Sequence, residues 1–395
     1  MTGCPACGGP LEVVHELRGV PVGSCLLVED AAHARAFPTG DLVLAVCLRC
    51  AFVTNTAFDP GVTTYDPSYE ETQGFSPRFQ AFARELAARW VAEYGLTGAH
   101  VVELGAGKGE FAALLAEEGG CDVLAVDPGI HPERVPVPRR GQVTAVRDVF
   151  RPEHLGRGVD AVVCRHTLEH ISDVTSFLQQ VRRGVADGVP VLFELPDTSR
   201  VLREAAFEDV YWEHCSYFTA GSLSRLFRRC GFDVLGCELA YDGQYLLIAG
   251  RPGLPNTELT AHDQADVVAT VQAARHFRDA FSAATAHWTA VLSEVKDAGG
   301  RNVLWGGGSK AVAFLTTLGV PGDVDAVVDI NPHKQGKALP GTGHIVVSPE
   351  SLVEMRPDLV VVMNPVYVEE VRDMLRASGL TPRITALSPT GRGIS

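Results

Sequence analysis

No stretch of this 395-residue sequence approaches the ~18 uninterrupted apolar residues that a membrane-spanning helix requires, so no transmembrane segment is expected. The opening residues, MTGCPACGG, hold neither a charged leader segment nor an apolar one. No signal peptide is expected either, and the default compartment is the cytoplasm. Long runs of Lys and Arg are missing as well. With a net charge of −14, that argues against nucleic acid as a partner and leaves a small molecule as the expected one. What is present is 46 % hydrophobic residues over a length that suits two or three globular domains, each with a core of its own.

Four of the ten cysteines come as two CxxC pairs, Cys4-Pro-Ala-Cys7 and Cys47-Leu-Arg-Cys50. Glycine follows the first pair and lets main-chain amides turn toward the thiolates, while the alternation over Gly40–Val46 marks a strand entering the second pair. Two such knuckles around a strand-rich insert predict a closed four-sulfur tetrahedron holding a structural zinc ion, with no position left for water. A redox dithiol pair or four unmetallated cysteines are the alternatives. Residues 1–58 are expected to form this zinc-binding domain. The other six, Cys25, Cys121, Cys164, Cys215, Cys230 and Cys237, lie scattered, mostly in apolar surroundings, and read as small buried hydrophobes.

The segment HVVELGAGKGEF, His100–Phe111, is a short apolar strand, a glycine-rich turn and the start of a helix. Glu103 precedes Gly105, Gly107 and Gly109, whose alternation lets the main chain pass close to a ligand. Asp127 ends the next strand, where an acid can accept hydrogen bonds from both hydroxyls of a ribose. The GxGxxG spacing that seats a pyrophosphate on a helix N-terminus is missing from this turn. A ligand with an amino acid and a ribose but no phosphate fits, and S-adenosylmethionine is such a ligand. A turn that serves packing alone is the plain alternative. Glu103, Gly105, Gly107 and Asp127 are the expected cofactor contacts. Asp148, after the third strand, either receives the adenine amino group or caps the helix that follows.

Strands expected at 100–104, 122–127, 143–146, 159–165, 189–195, 232–238 and 244–250 predict a parallel sheet covered by helices on both faces, within a domain spanning 59–252. Ligands of such sheets bind at the carboxyl ends of the strands. Ahead of the sheet, an amphipathic helix is expected from about Pro77 to Tyr94, preceded by a turn-rich linker with Tyr65 and Tyr69. The linker is either a solvated connector or a lid over the cofactor, with Tyr69 against the cofactor and Tyr65 near the transferred methyl.

The fourth strand runs into RHTLEH, Arg165–His170. His166 and His170 stand four apart, as metal ligands on a helix do, but the residues between them do not make HExxH and no third ligand is evident. Both are expected on the ligand rim, His170 toward the methyl group and His166 with the cofactor. After the fifth strand, VYWEHCSYF, Val210–Phe218, gathers Tyr211, Glu213, His214 and Tyr217. A neutral histidine beside a carboxylate suits a general base near neutral pH. The alternative is an aromatic insertion that only closes the pocket. Residues 253–299 have apolar positions at helical spacing and are expected to bridge to a last domain, 300–395. That domain opens with another strand, glycine turn and helix. There Gly306-x-Gly308-x-x-Ala311 does have the dinucleotide spacing, and Asp329 ends the following strand. One reading is a nicotinamide dinucleotide; the other is an acceptor's phosphates, held by turn amides and by lysines such as Lys310, Lys334 and Lys337.

With these residues in place, the chain resembles the three-domain S-adenosylmethionine-dependent C-methyltransferases of antibiotic deoxysugar biosynthesis, over nearly its whole length. The matching pieces are the two CxxC pairs, YDPSYEETQGFSPRF, ELGAGKGEF, HTLEH, FELPD, YWEHCSYF, GGGSKA and VVDINPHKQGKALPGT. The resemblance implies an α/β protein with an N-terminal zinc-ribbon-like domain, a class I Rossmann-like methyltransferase core, a helical bridge and a small C-terminal Rossmann-like domain. It implies that the last domain helps hold a sugar nucleotide and needs no NAD. It also implies that His214 removes a proton beside the ketone of a dTDP-4-keto-deoxysugar, supported by Glu213, Tyr211, His170 and Tyr65. Trp212 and Cys215 depart from the YHEHFSYFS usual in the family, and VVMNPVYVEEV departs near the end. A changed acceptor is compatible with those departures, including an amine or hydroxyl methylated at the same site. Other classes would be a binding module whose core has lost activity, or a nicotinamide oxidoreductase.

Overall fold

The computed structural model describes residues 3–62 and 69–387. They form three sheets. The first has four strands in the order Leu11–Pro21, Thr39–Cys47, Val53–Asn55 and Ser216–Tyr217. Its first three strands are neighbours in sequence and pair antiparallel. The fourth arrives from more than 160 residues downstream, pairing Val53 with Tyr217 and Thr54 with Ser216. Two further bonds fix the junction, since the Thr54 hydroxyl and the Asn55 amide each donate to the Cys215 carbonyl at 2.9 Å. The cysteine-rich sheet is thus completed by the residues that follow His214.

The second sheet has seven strands in the order Phe232–Ala240, Tyr245–Pro252, Val191–Pro196, Ala161–Arg165, His100–Leu104, Asp122–Val126 and Gln142–Val146. The last five run parallel. Tyr245–Pro252 runs against both of its neighbours, a reversal that the expectation of a parallel sheet did not contain. The cause is local: only Tyr241–Gln244 separate it from the strand before, with Tyr241 and Asp242 in the left-handed region, and so short a link can close only a hairpin. Helix Pro77–Tyr94 begins with proline after the capping Ser76 hydroxyl, ends at Gly95 in the left-handed region, and buries Phe79, Ala83, Leu86, Ala87, Trp90 and Val91. The third sheet is parallel throughout, in the order Val346–Val347, Ala326–Val328, Asn302–Trp305, Leu359–Val362 and Arg383–Ala386.

A single helix, Ala261–Asp297, links the second sheet to the third. Thr260 and Asp263 form a reciprocal capping box at its start. Val267, Val271, Ala274, Phe277, Phe281, Ala284, Trp288 and Leu292 recur three or four apart and are all buried. This stripe belongs to one continuous core with Leu42, Leu44 and Val53 of the first sheet and Leu304, Val327 and Val361 of the third. Among the described residues no helix is long and apolar enough to cross a membrane.

Both doubly wound sheets change strand order beside a glycine turn. In the larger one the change falls between His100–Leu104 and Ala161–Arg165, in the smaller between Asn302–Trp305 and Leu359–Val362. A crevice opens beyond the carboxyl ends of the strands at such a point. Here both crevices open onto the same cavity, whose lining includes Gly105, Thr167, Gly306 and Met363.

Phe277, fully buried in the shared core, tests how far the helix binds the parts together. Phe277→Ala is expected to cost about 3–5 kcal/mol of unfolding free energy in urea. Val268→Ala, on the exposed side of the same helix, should stay within about 0.5 kcal/mol of the parent.

Candidate active site

The four cysteines of the CxxC pairs converge as their spacing predicts. All four are buried, and their sulfurs lie within 4.8 Å of one another. Cys4 Sγ is 3.7 Å from Cys50 Sγ, and Cys7 Sγ is 3.4 Å from Cys47 Sγ. A tetrahedron with metal–sulfur bonds of about 2.3 Å needs edges of about 3.8 Å, so the residues fit a zinc ion. The knuckle amides turn inward as expected: Gly9 N donates to Cys7 Sγ and Arg49 N to Cys47 Sγ, both at 3.4 Å.

The shared cavity has a volume of about 570 Å³. On its methyltransferase-like wall, Gly105 sits at φ +69°, and an added Cβ would collide with the Thr167 hydroxyl. Only glycine fits there. Asp127 braces the turn, accepting from the Gly107 amide at 3.0 Å and the Gly129 amide at 2.6 Å. Glu103, Glu71 and Tyr69 line the same wall. Burial lifts the Glu103 carboxyl to about 8 and that of Glu71 to about 7, and each keeps one oxygen without a hydrogen bond. Lys108, in the same wall, donates to the Tyr69 carbonyl at 2.6 Å and stands 3.6 Å from Glu71. The three carboxyls set hydrogen-bonding oxygens around the glycine turn, and Glu103, raised above neutrality, does so without a full negative charge.

The facing wall comes from the smaller sheet and repeats the motif. Asp329 accepts from the Gly307 amide at 2.8 Å, as Asp127 does from Gly107. Its chemistry is different. Lys334 reaches Asp329 at 3.3 Å, while Lys310 and Arg200 both pair with Asp209. Burial, aided by Arg200, pulls the Lys310 ammonium down to about 7.

Between the walls stand the histidines. His214 is buried, and its Nε2 lies 2.8 Å from the Tyr211 hydroxyl. Burial, reinforced by the charges of His170, His166 and Lys310, holds its pKa well below the usual histidine value, so it is neutral. The His170 ring stands edge-on to it, with centroids 4.9 Å apart, and His170 Nδ1 lies 3.1 Å from the Glu213 carbonyl. The expected contact between His214 and the Glu213 carboxylate is not made. Glu213 points the other way, where both the amide and the hydroxyl of Ser24 donate to its Oε1. Outside a helix, successive side chains diverge, and adjacency in sequence does not bring 213 and 214 together.

His166 has a different character. It adopts φ +48°, a conformation unusual for a residue with a side chain, and is held there by its amide and by Nε2, each 2.8 Å from Glu194. Burial opposes its charge, but Glu169 and Glu194 overcome that and lift it to about 9. It lines the cavity as a cation. Glu194 is also held by both Arg165 Nε and Nη2, and the Arg165 guanidinium lies 4.1 Å from the centroid of the Phe111 ring. Asp148 Oδ1 accepts from Arg151 at 2.7 Å, and its neighbours Val149 and Phe150, not Asp148 itself, line the cavity. Tyr65 lies outside the described residues.

Residues 79–236 match the family model described as a methyltransferase domain, and residues 255–379 match the C-methyltransferase C-terminal domain. C-methyltransferase NovU of Streptomyces niveus is 27 % identical over 394 residues, covering 94 % of this chain and 91 % of that protein. Among solved structures, the 1,6-didemethyltoxoflavin-N1-methyltransferase of Burkholderia thailandensis, with bound S-adenosylhomocysteine, has a TM-score of 0.35 at 19 % identity, covering 45 % of this chain and 81 % of its own. Magnesium protoporphyrin IX methyltransferase from Synechocystis PCC 6803 has a TM-score of 0.35 at 16 % identity, covering 44 % and 84 %. The fold and the first of the matched domains make the protein an enzyme of the S-adenosylmethionine methyltransferase class. The second matched domain and the similarity to NovU relate the chain to the C-methyltransferases.

The opposite states of the two histidines can be read by NMR. His166 should stay protonated through neutral pH and titrate near 9, while His214 stays neutral throughout. Glu194→Gln should return His166 toward about 6.5. The stability that this raised value confers is full below about pH 6.5 and is lost as the pH climbs through about 9, so the variant should lose that part of the slope.

Proposed function

We propose that the enzyme uses S-adenosylmethionine to methylate carbon beside the ketone of a nucleotide-linked 4-keto-deoxysugar, of the dTDP type, in natural-product biosynthesis. The observation that carries this reading is a neutral His214, bonded to Tyr211, at a cavity that two glycine turns share. Glu103, Gly105, Gly107, Asp127 and Tyr69 are the residues to hold the donor, with carboxyl oxygens placed to meet its ammonium and ribose hydroxyls. When bound, S-adenosylmethionine supplies an electrophilic methyl group on a sulfonium. The opposite wall, with Lys310, Arg200 and the start of helix Ser309–Leu318, suits the acceptor's diphosphate.

The residues then divide the work. In the tautomer whose Nε2–H donates to the Tyr211 oxygen, His214 Nδ1 keeps the lone pair that takes the acidified proton next to the ketone. The enolate so formed is the carbon nucleophile. His170 and Tyr211 fix the ring, and His166, already charged, does not compete as a base. In the same reading, a structural zinc ion held by Cys4, Cys7, Cys47 and Cys50 keeps the first sheet intact.

Incubation of the enzyme with S-adenosylmethionine and a panel of dTDP-4-keto-deoxysugars in deuterated water tests this. One added methyl group is expected, with deuterium entering the carbon next to the ketone. His214→Asn should lower turnover by about 10²–10⁴ while leaving the donor's Kd unchanged. Normal turnover in that variant would remove His214 as the base, and a methyl found on oxygen or nitrogen would overturn C-methylation.

Metal analysis should find one zinc per chain at the four cysteines. Cys47→Ser should lose it, and turnover should fall as well, because Ser216–Tyr217 pairs with the sheet those cysteines hold. A fully active variant without metal would sink the structural role of the ion.

A further inference from the structure

We propose that the acceptor's nucleotide part sets the base: a diphosphate held at the start of helix Ser309–Leu318 fixes the turn that carries Tyr211 and His214. This role rests on the acceptor reading given above and adds Ser24 and Asp209 as positioning residues. Two lines of contact leave consecutive residues, Ser309 and Lys310, and reach the turn from both ends. The Ser309 hydroxyl lies 2.8 Å from that of Ser24, and the amide and hydroxyl of Ser24 both donate to Glu213, the residue before His214. Lys310 pairs with Asp209, two residues before Tyr211. Tyr211 and His214 therefore lie between two anchors that share one helix start.

Each anchor depends on its partner. Glu213 is fully buried, and among the described residues Ser24 alone bonds its carboxylate. A carboxylate so placed is costly to leave without its donors. Asp209 accepts from Lys310 on one oxygen and from Arg200 on the other. Beside it, Phe207 stacks on Phe314 of the same helix, with ring centroids 5.7 Å apart, so the segment ahead of Tyr211 follows that helix. Ser309, Lys310, Asp209 and Arg200 line the cavity, as Tyr211 and His214 do, while Ser24 stands outside the lining. A diphosphate there meets the unpaired main-chain amides of a helix start. It also takes ammonium hydrogens of Lys310 beyond the one that Asp209 accepts. The ligand thus braces Ser309 and Lys310, and through them both ends of the turn. A free keto sugar has no such group and meets a base that has not been set, so the device selects the nucleotide-linked form.

The test uses the full-length enzyme labelled with carbon-13 at its histidines, with dTDP as the probe and no sugar present. Binding is read from the phosphorus signals of dTDP, and the state of the base from the His214 ring signals. In the wild type both should change together as dTDP is added. In Ser24→Ala, dTDP should bind within about twofold of the wild type while the His214 signals stay still. With a sugar that the wild type methylates, this variant should lose about tenfold in kcat at an unchanged KM, and Ser24→Thr should recover it. Asp209→Asn removes a negative charge beside Lys310 and Arg200, so dTDP should bind at least about threefold tighter while turnover falls about tenfold. Unchanged affinity for S-adenosylhomocysteine reports that the variants are folded. His214 signals that ignore bound dTDP in the wild type, or follow it equally in Ser24→Ala, overturn the coupling and leave the acceptor reading standing. dTDP that does not bind at all removes both.

Discussion

Two residue pairs, Val53 with Tyr217 and Thr54 with Ser216, hold the candidate base in place. A strand of two residues has no stability of its own and exists only where a sheet receives it. The turn carrying Tyr211 and His214 is anchored on one side by that strand and on the other by Ser24, whose amide and hydroxyl both grip Glu213. Ser24 also lies 2.8 Å from the hydroxyl of Ser309, the first residue of the helix that follows the second glycine turn. The cysteine-rich part of the chain therefore adjoins the cavity, which Cys25 lines, and is in contact with elements of both other parts.

The two glycine turns that meet at the cavity are braced in the same way, each by an acid from the next strand bonded to the middle amide. Their surroundings then diverge: Glu71, Glu103 and Asp127 stand by the first, and Lys310, Lys334 and Arg200, each paired with an aspartate, by the second. Segment 69–76 closes the chamber at the side. Glu70 bonds Arg134 of one sheet's loops and Asn331 of the other's, while Gln73 bridges Tyr245 and Tyr367.

Much of this was legible in the sequence, because periodicity and spacing report backbone geometry directly. The two CxxC pairs meet, helix Pro77–Tyr94 begins and ends where its proline and glycine place it, and the glycine turns sit at the strand ends. Side-chain direction was less legible. Glu213 was expected beside His214 on adjacency alone, but a turn sends the two apart. Asp148 follows its strand as an adenine acceptor would, but the residues that line the cavity there are its neighbours Val149 and Phe150. Ser24 carries no local signal, since its importance lies in a contact with a residue 189 positions away.

The long helix has a consequence for how such enzymes can be recombined. Its 37 residues run about 55 Å as one rigid rod, with buried contacts along its length. A single residue added or removed within it would turn everything beyond by about 100° and shift it by about 1.5 Å, swinging the second glycine turn away from the first. Exchange of the last domain between relatives at the rod's ends, near Thr260 or at Ala298–Gly299, leaves the helix itself intact. A chimera joined anywhere inside the helix must keep its length to the residue.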